Sequence, residues 1–324
     1  MKLRLTLRGF MIILLGGFSY LLGSLFSLAA TFFQCSNQAF ISISHSMLLY
    51  SIIPITLGII MILFDLLVLK KNTRIIQYVP PSENEKITVV LTAYNDELSI
   101  PGAVNDFKNH PRVARVIVVS NNSTDKTIEK ALQNGAIAIN EPTQGFGACS
   151  YRSLMEGIKY EDTKFTMLCE GDCTFKAYDI DKFLAYIPHA DIVNGSRIVE
   201  QLRAKDTQLT NFMYFGNFFV GKLLEMKNIE NGTLTDVGTT YKLCRNDALK
   251  KLLPKLTSAI NLEFNPYFLD MAMHYKFKVV ECPITFHPRV GKSKGGNRNN
   301  FVAFKLGLKM ILGITVSWKL WHNR

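Results

Sequence analysis

Glu170-Gly171-Asp172 follows directly on the apolar run Phe165-Thr166-Met167-Leu168-Cys169. Two carboxylates one residue apart at a strand end can hold a hydrated divalent ion against a diphosphate. Taken alone, such a triplet is a weak signal and reads first as a solvated turn. Polar residues also gather at Asn95-Asp96-Glu97 and Ser120-Asn121-Asn122, each after an apolar β-branched run. Positive charge is offered by Arg197, Arg203, Arg289, Lys292 and Lys294, and guanidinium groups grip phosphate oxygens two at a time. The sequence has no GxxxxGK[ST], no strand-linked GxGxxG and no HExxH, so P-loop, dinucleotide-binding and zincin chemistries lose support.

These residues need a scaffold that brings strand ends together. The pattern predicts strands over Ile87–Tyr94, Arg115–Ser120, Ala136–Asn140, Phe165–Glu170 and Asp191–Ser196, with helices between them. Such a rhythm gives a mostly parallel α/β sheet with helices on both faces, whose ligands sit at the carboxyl ends of the strands. All three polar clusters fall at those ends.

Upstream, Phe10 to Phe33 has no charged residue, and these 24 residues extend about 36 Å as a helix, enough to cross a bilayer. A second stretch, Met47 to Leu69, carries only Asp65 and a proline, Pro54. Lys2, Arg4 and Arg8 precede the pair and Lys70, Lys71 and Arg74 follow it, while residues 34–46 hold no Lys or Arg, which predicts cytoplasmic ends for both spans. The tail from Phe301 to Trp321 is broken by Lys305, Lys309 and Lys319 and reads as an amphipathic helix on a membrane surface, with core packing as the alternative. The expected organisation is a membrane region over 1–74 with spans near 10–33 and 47–69, a linker over 75–86, a cytoplasmic domain over 87–298 and a surface helix over 299–324. The 48% hydrophobic and 19% charged content of the 324 residues suits a protein both membrane-bound and globular. A net charge of +11 points to an anionic partner. The six cysteines include no CxxC pair and read as free thiols.

The ordered motifs from about 87 to 310 resemble those of family-2, GT-A-type glycosyltransferases, especially polyprenyl-phosphate sugar transferases of the dolichol-phosphate mannose synthase type. The matching pieces are Val89–Glu97, Val118–Thr127, Gly145-Phe146-Gly147-Ala148, Glu170-Gly171-Asp172, Asn194–Arg197, Thr235–Lys242, Glu281–Ile284 and Arg289–Lys294. The resemblance implies a GT-A fold and a nucleotide-diphosphate sugar donor held by Ala93, Tyr94, Glu97, Ser120, Asn121, Gly145, Glu170 and Gly171. It implies Mg²⁺ or Mn²⁺ on Asp172 with Glu170, and Asp172, Asp236, Arg197 and Arg289 as catalytic residues. Arg203, Lys292, Ser293 and Lys294 then meet the acceptor phosphate. Ser120 and Glu170 stand where the family usually has Asp, so the nucleotide base is not named.

The expected reaction is inverting transfer of one sugar to a polyprenyl phosphate, such as a dolichyl or undecaprenyl phosphate, at the cytoplasmic face of a membrane, with no nucleic-acid partner. A phosphate acceptor is already ionised and needs positive charge rather than a general base. Two alternatives stay open. One is transfer to a lipid hydroxyl with Asp236 as base; the other is a non-catalytic nucleotide-sugar-binding membrane protein. Asp236 itself reads either as an acceptor-side carboxylate or as a loop cap, and the basic stretch from Arg289 to Arg298 as a lid or as a tether to anionic lipid.

Overall fold

The computed structural model describes residues 5–33, 37–68, 80–229, 231–291 and 300–321. Contacts divide the chain into two compact units, residues 1–73 and 74–324.

The first unit is helical: α1 (Leu5–Phe32), α2 (Gln38–Tyr50) and α3 (Ile52–Leu67). Leu5–Phe32 and Gln38–Leu67 are each long and apolar enough to cross a membrane. Leu15, Leu21, Leu28, Ile53 and Leu67 all lie exposed, the surface expected of helices whose solvent is hydrocarbon. The second stretch is broken at Ser51, because Pro54 has no amide to offer the Tyr50 carbonyl. Close approach of α1 to α3 depends on glycine: a methyl on Gly58 would stand 2.4 Å from the Gly9 carbonyl oxygen. Asp65, the charge inside the second stretch, accepts from the Thr6 amide at 2.8 Å and its hydroxyl at 2.5 Å.

The second unit is built on a seven-stranded sheet. Its strands are β1 (Lys86–Ala93), β2 (Val113–Ser120), β3 (Ile137–Asn140), β4 (Thr163–Glu170), β5 (Ile192–Ser196), β6 (Lys242–Arg245) and β7 (Val279–Pro283). They lie in the order β3-β2-β1-β4-β6-β5-β7. Only β6 runs against its neighbours, pairing antiparallel with β4 and with β5. The sheet is therefore mostly parallel, as expected from the sequence, with β6 and β7 added to the five predicted strands.

Alternation along the strands decides what each face covers. Ile87, Val89 and Leu91 of β1 pack with α4 (Ile100–Lys108) and α7 (Ile180–Tyr186) on one face, and Val90 packs with Ile117, Val119 and Cys149 of α6 (Phe146–Gly157) on the other. The turns after β1, β2 and β4 each contain a non-glycine residue in the left-handed region: Asn95 (φ +50°), Asn122 (φ +55°) and Cys173 (φ +65°). Such residues cost about 1 kcal/mol or more and reverse the chain abruptly. The polar clusters consequently stay at the carboxyl ends of these strands.

Between β5 and β6 runs α8 (Asn211–Lys227), capped by the Thr210 hydroxyl, which accepts from the Met213 amide. After β6 come α9 (Asn246–Leu252) and α10 (Phe264–His274), and after β7 comes α11 (Asn300–Thr315), which packs on α8 and α10. Phe212, Phe215, Phe218 and Phe219 of α8, with Phe301, Phe304, Leu308 and Leu312 of α11, remain exposed. A short turn of helix, Trp318–Trp321, follows α11 and begins with Trp318. Trp318 folds back, buried against Gly313 and Tyr267, and its Nε1 donates to Asp270 Oδ2 at 2.6 Å. The five described cysteines are free.

Candidate active site

The ends of β1 and β4 bring three carboxyl groups together. β1 and β4 are parallel neighbours with Thr92 opposite Glu170, so the turns that follow both strands emerge side by side. Asp96 accepts from the Tyr94 amide at 3.0 Å, and its own amide donates to Thr127 Oγ1. Asp172 Oδ1 takes the Thr174 amide at 3.0 Å and hydroxyl at 2.6 Å, fixing the carboxylate. Its Oδ2 is buried and has no hydrogen-bond partner among the described residues. Glu170 Oε1 accepts from Thr240 Oγ1 at 2.7 Å, and burial together with the Asp172 carboxylate pushes its carboxyl up to about 7. Arg289 reaches into this cluster, with Nη2 2.9 Å from Asp96 Oδ1 and Nη1 3.1 Å from Asp172 Oδ2.

A second charged pair lies at the end of β5. Arg197 donates from Nε to Asp236 Oδ2 at 2.7 Å and from Nη2 to Oδ1 at 2.8 Å, and both residues are buried. The Arg197 amide and the Gly238 amide add two more bonds to the same carboxylate. Burial opposes the charge on Asp236, but the guanidinium and these donors outweigh it and hold the carboxyl below the usual range. Arg197 also lies over the Phe286 ring at 5.1 Å.

One cavity of about 670 Å³ joins these groups. Its lining combines Thr92, Ala93, Tyr94, Asn121, Gly145 and Glu170 at and after the strand ends, the cations Arg197 and Arg289, and Phe212, Phe219, Phe304 and Leu308 of α8 and α11. Polar strand-end groups and an apolar trough formed by α8 and α11 thus share one cavity. Its chemistry suits a ligand with a charged head and a greasy body.

Residues 88–253, just over half of the chain, match Glycosyl transferase family 2. The chain belongs to that family. Among relatives, this chain is similar to the low-salt glycan biosynthesis hexosyltransferase of Haloferax volcanii, 25% identical over 213 residues, 64% of this chain and 49% of that protein. A dolichyl-phosphate hexose transferase of the same organism is 23% identical over 211 residues, 65% of this chain and 86% of that protein. The chain spans about half the length of several relatives it matches. Among solved structures, glucosyl-3-phosphoglycerate synthase of Mycobacterium tuberculosis, in complex with Mn²⁺, UDP and phosphoglyceric acid, superposes with a TM-score of 0.51 at 15% identity, over 72% of this chain and 79% of that one. That likeness is one of fold, and the fold is GT-A.

Within this family member, the residues singled out from sequence separate into three groups. Ala93, Tyr94, Asn121, Gly145, Glu170, Arg197 and Arg289 line the cavity, and Asp172 lies directly behind Arg289. Ser120, Glu97, Gly171, Asp236 and Arg203 do not line it. Ser120 is buried and donates to Ser123 Oγ at 2.7 Å, while Glu97 Oε2 accepts from the Lys126 amide, tying the turns after β1 and β2 together. Gly171 is packed against Ile100, and Arg203 stacks on Tyr214. Asn121 Oδ1 holds the Gly145 amide at 2.7 Å and Asn261 Oδ1 holds the Phe146 amide, so side chains already occupy the first amides of α6. Gly147 serves packing, since a methyl there would stand 1.5 Å from the Ile260 carbonyl oxygen. Lys292, Ser293 and Lys294, and the rest of the stretch to Arg298, lie outside the described residues.

Three residues join the site that the motifs left unassigned. Asp96 carries half of Arg289, although its place at a strand end was the available signal. Asn265 donates to Thr240 Oγ1 at 3.1 Å and so steadies the hydroxyl that holds Glu170. Glu281 accepts from the Thr235 and Asp236 amides, each at 2.8 Å, and so fixes the loop carrying Asp236.

Burial pushes the Glu281 carboxyl from 4.5 up to about 7 despite those donors. The folded state then binds the proton more tightly than the unfolded chain, so stability is fully present below pH 4.5 and is lost as pH rises through 7. Relative to Glu281→Gln, the wild type should lose roughly 2–3 kcal/mol across that window and run parallel above it. Thermal melts of both full-length proteins in detergent, over a pH series, measure the difference. A difference that does not change with pH would assign no titration to Glu281.

Proposed function

We propose that the protein transfers one sugar, with inversion, from a nucleoside-diphosphate sugar to a polyprenyl phosphate at the cytoplasmic surface of a membrane. The observation that carries this reading is that one cavity is lined together by strand-end carboxyl groups, by Arg197 and Arg289, and by the apolar side chains of α8 and α11. The similarity to a dolichyl-phosphate hexose transferase supports the same acceptor class. Exposed aromatic side chains on α8 and α11 suit burial at headgroup level, where a prenyl-linked phosphate lies.

The buried Asp172 Oδ2 faces Arg289 but has no hydrogen-bond partner among the described residues, and beside the Glu170 carboxyl it fits a divalent ion such as Mg²⁺ or Mn²⁺. Among the described residues no three ligand-type side chains stand together in coordinating geometry, as befits an ion held by one or two carboxylates, water and substrate phosphates. When bound, the ion supplies positive charge to the leaving diphosphate.

The chain's own residues do the rest. Arg197, held rigid by Asp236, presents the edge of its guanidinium to the cavity, where it steers and orients an anionic acceptor. Arg289, which lines the same cavity and contacts Asp96 and Asp172, adds a second cation. An ionised phosphate oxygen attacks without a proton to remove. This favours phosphate over hydroxyl acceptors, because Asp236 is committed to four hydrogen bonds and held below the usual carboxylate range, a poor state for a general base.

Membranes containing the protein, given a panel of radiolabelled nucleotide sugars, should form a lipid product that mild acid cleaves. An acid-stable lipid product would instead make the protein a glycolipid synthase. No product with any donor would favour the binding-protein reading.

A further inference from the structure

Arg289 occupies the position where the acids need a cation. Its backbone is tied to the turn after β4, with the Val290 amide donating to the Asp172 carbonyl at 3.1 Å and the His287 amide to the Thr174 carbonyl at 2.9 Å. From that anchor one guanidinium spans Asp96 and Asp172, carboxylates from two neighbouring strand ends. The three side chains are 13%, 6% and 2% exposed, so water does little to neutralise them. Two carboxylates left in such a place without a counter-charge would be strongly unfavourable.

The contact differs from the permanent pair beside it. Arg197 and Asp236 make two parallel hydrogen bonds and are locked by two backbone amides. Among the described residues Arg289 makes one hydrogen bond, to Asp96, its buried Nε has no partner, and Asp172 Oδ2 faces it as a charge without hydrogen-bond geometry. Arg289 thus compensates Asp172 without being fitted to it. It also lines the cavity, so its guanidinium needs only a rotation to meet a phosphate.

We propose that Arg289 is a built-in stand-in for the divalent ion: it neutralises Asp172 while the site is empty, yields that carboxylate when the ion arrives, and turns to the substrate phosphates. The exchange replaces one cation by another at Asp172, so that carboxylate is never left uncompensated. It also delivers the guanidinium to the cavity at the moment a diphosphate is present. Ion alone must compete with an arginine, whereas ion and diphosphate together give the arginine somewhere to go, which makes their binding mutually reinforcing. The proposal rests on reading the cluster as a metal-assisted donor site.

The test is Mn²⁺ binding by the full-length protein in detergent, followed by electron paramagnetic resonance with no nucleotide present. Arg289→Gln should bind Mn²⁺ about tenfold or more tightly than wild type, and Asp172→Asn added to it should abolish the gain. Arg289→Lys, which keeps the charge but reaches one carboxylate at a time, should fall between. Methylguanidinium should weaken Mn²⁺ binding to Arg289→Ala and leave the wild type unaffected. Equal or weaker Mn²⁺ binding by Arg289→Gln, with Asp172-dependent binding intact in both proteins, would overturn the stand-in role and leave the metal reading in place. Mn²⁺ binding indifferent to Asp172 in every variant would overturn the metal reading, and the stand-in with it.

Discussion

Asp172→Asn should lower turnover roughly 10³-fold or more while leaving the fold intact. The Oδ1 atom would keep both Thr174 bonds, so the turn after β4 retains its shape. The change falls on Oδ2, which is buried and faces Arg289. An amide there removes the charge that a divalent ion needs and points a donor at the guanidinium. Glu170→Gln should cost less, because Glu170 is anchored by Thr240 and is already pushed toward its neutral form. Initial rates for both variants at saturating donor, with melting temperatures alongside, separate lost chemistry from lost structure. Undiminished wild-type rates in EDTA would remove the metal from the reaction altogether.

Asp236→Ala is expected to act through stability, by about 3–5 kcal/mol, because it strands the buried Arg197 guanidinium. The loss includes four hydrogen bonds to one carboxylate, two of them from the backbone of different loops. Arg197→Met should be comparably harmful alone, and the double substitution should cost much less than the sum of the two. A double-mutant cycle by thermal melting then gives a coupling of about 2 kcal/mol or more. Additive effects would mean that the two side chains are held independently. If Asp236 were a general base, Asp236→Asn would abolish turnover and leave stability largely intact; the geometry predicts the converse emphasis.

Much of this could be read from the chain before its fold was known, for identifiable physical reasons. β1, β2, β4 and β5 are buried runs rich in β-branched residues, and the acids that end β4 stand directly behind such a run. β6 escaped notice because its four residues, Lys242-Leu243-Cys244-Arg245, carry two basic side chains. Lys242 is nonetheless fully buried, donates to the Thr239 carbonyl and to Asn265 Oδ1, and is pushed down to about 7 by burial. No hydropathy pattern announces a buried lysine. β7 is short, contains Glu281 and Pro283, and lies at an edge. Within the site, the Arg197–Asp236 pair joins residues 39 positions apart, a relation that one-dimensional spacing does not encode. Ser120 and Glu97 sit in motif positions but turn toward neighbouring loops, because the left-handed residues Asn95 and Asn122 redirect the chain next to them.

The antiparallel strand has a further consequence, for how the protein is made. β3, β2, β1 and β4 pair only with one another and with β6, and β5 reaches them only through β6. Four residues, Lys242 to Arg245, are therefore the hydrogen-bonded link between the two halves of the sheet among the described residues. During synthesis the first half can close once β4 has emerged, but the link follows about 70 residues later, roughly 4–14 s at ordinary elongation rates. Throughout that interval the outer edge of β4, with Phe165, Met167 and Leu168, offers unpaired backbone to any passing strand. Ribosome-bound chains arrested near residue 230 should accordingly aggregate or recruit chaperones on release, and chains arrested beyond residue 290 should not. Equal solubility of the two would mean that another segment shields the edge until β6 arrives.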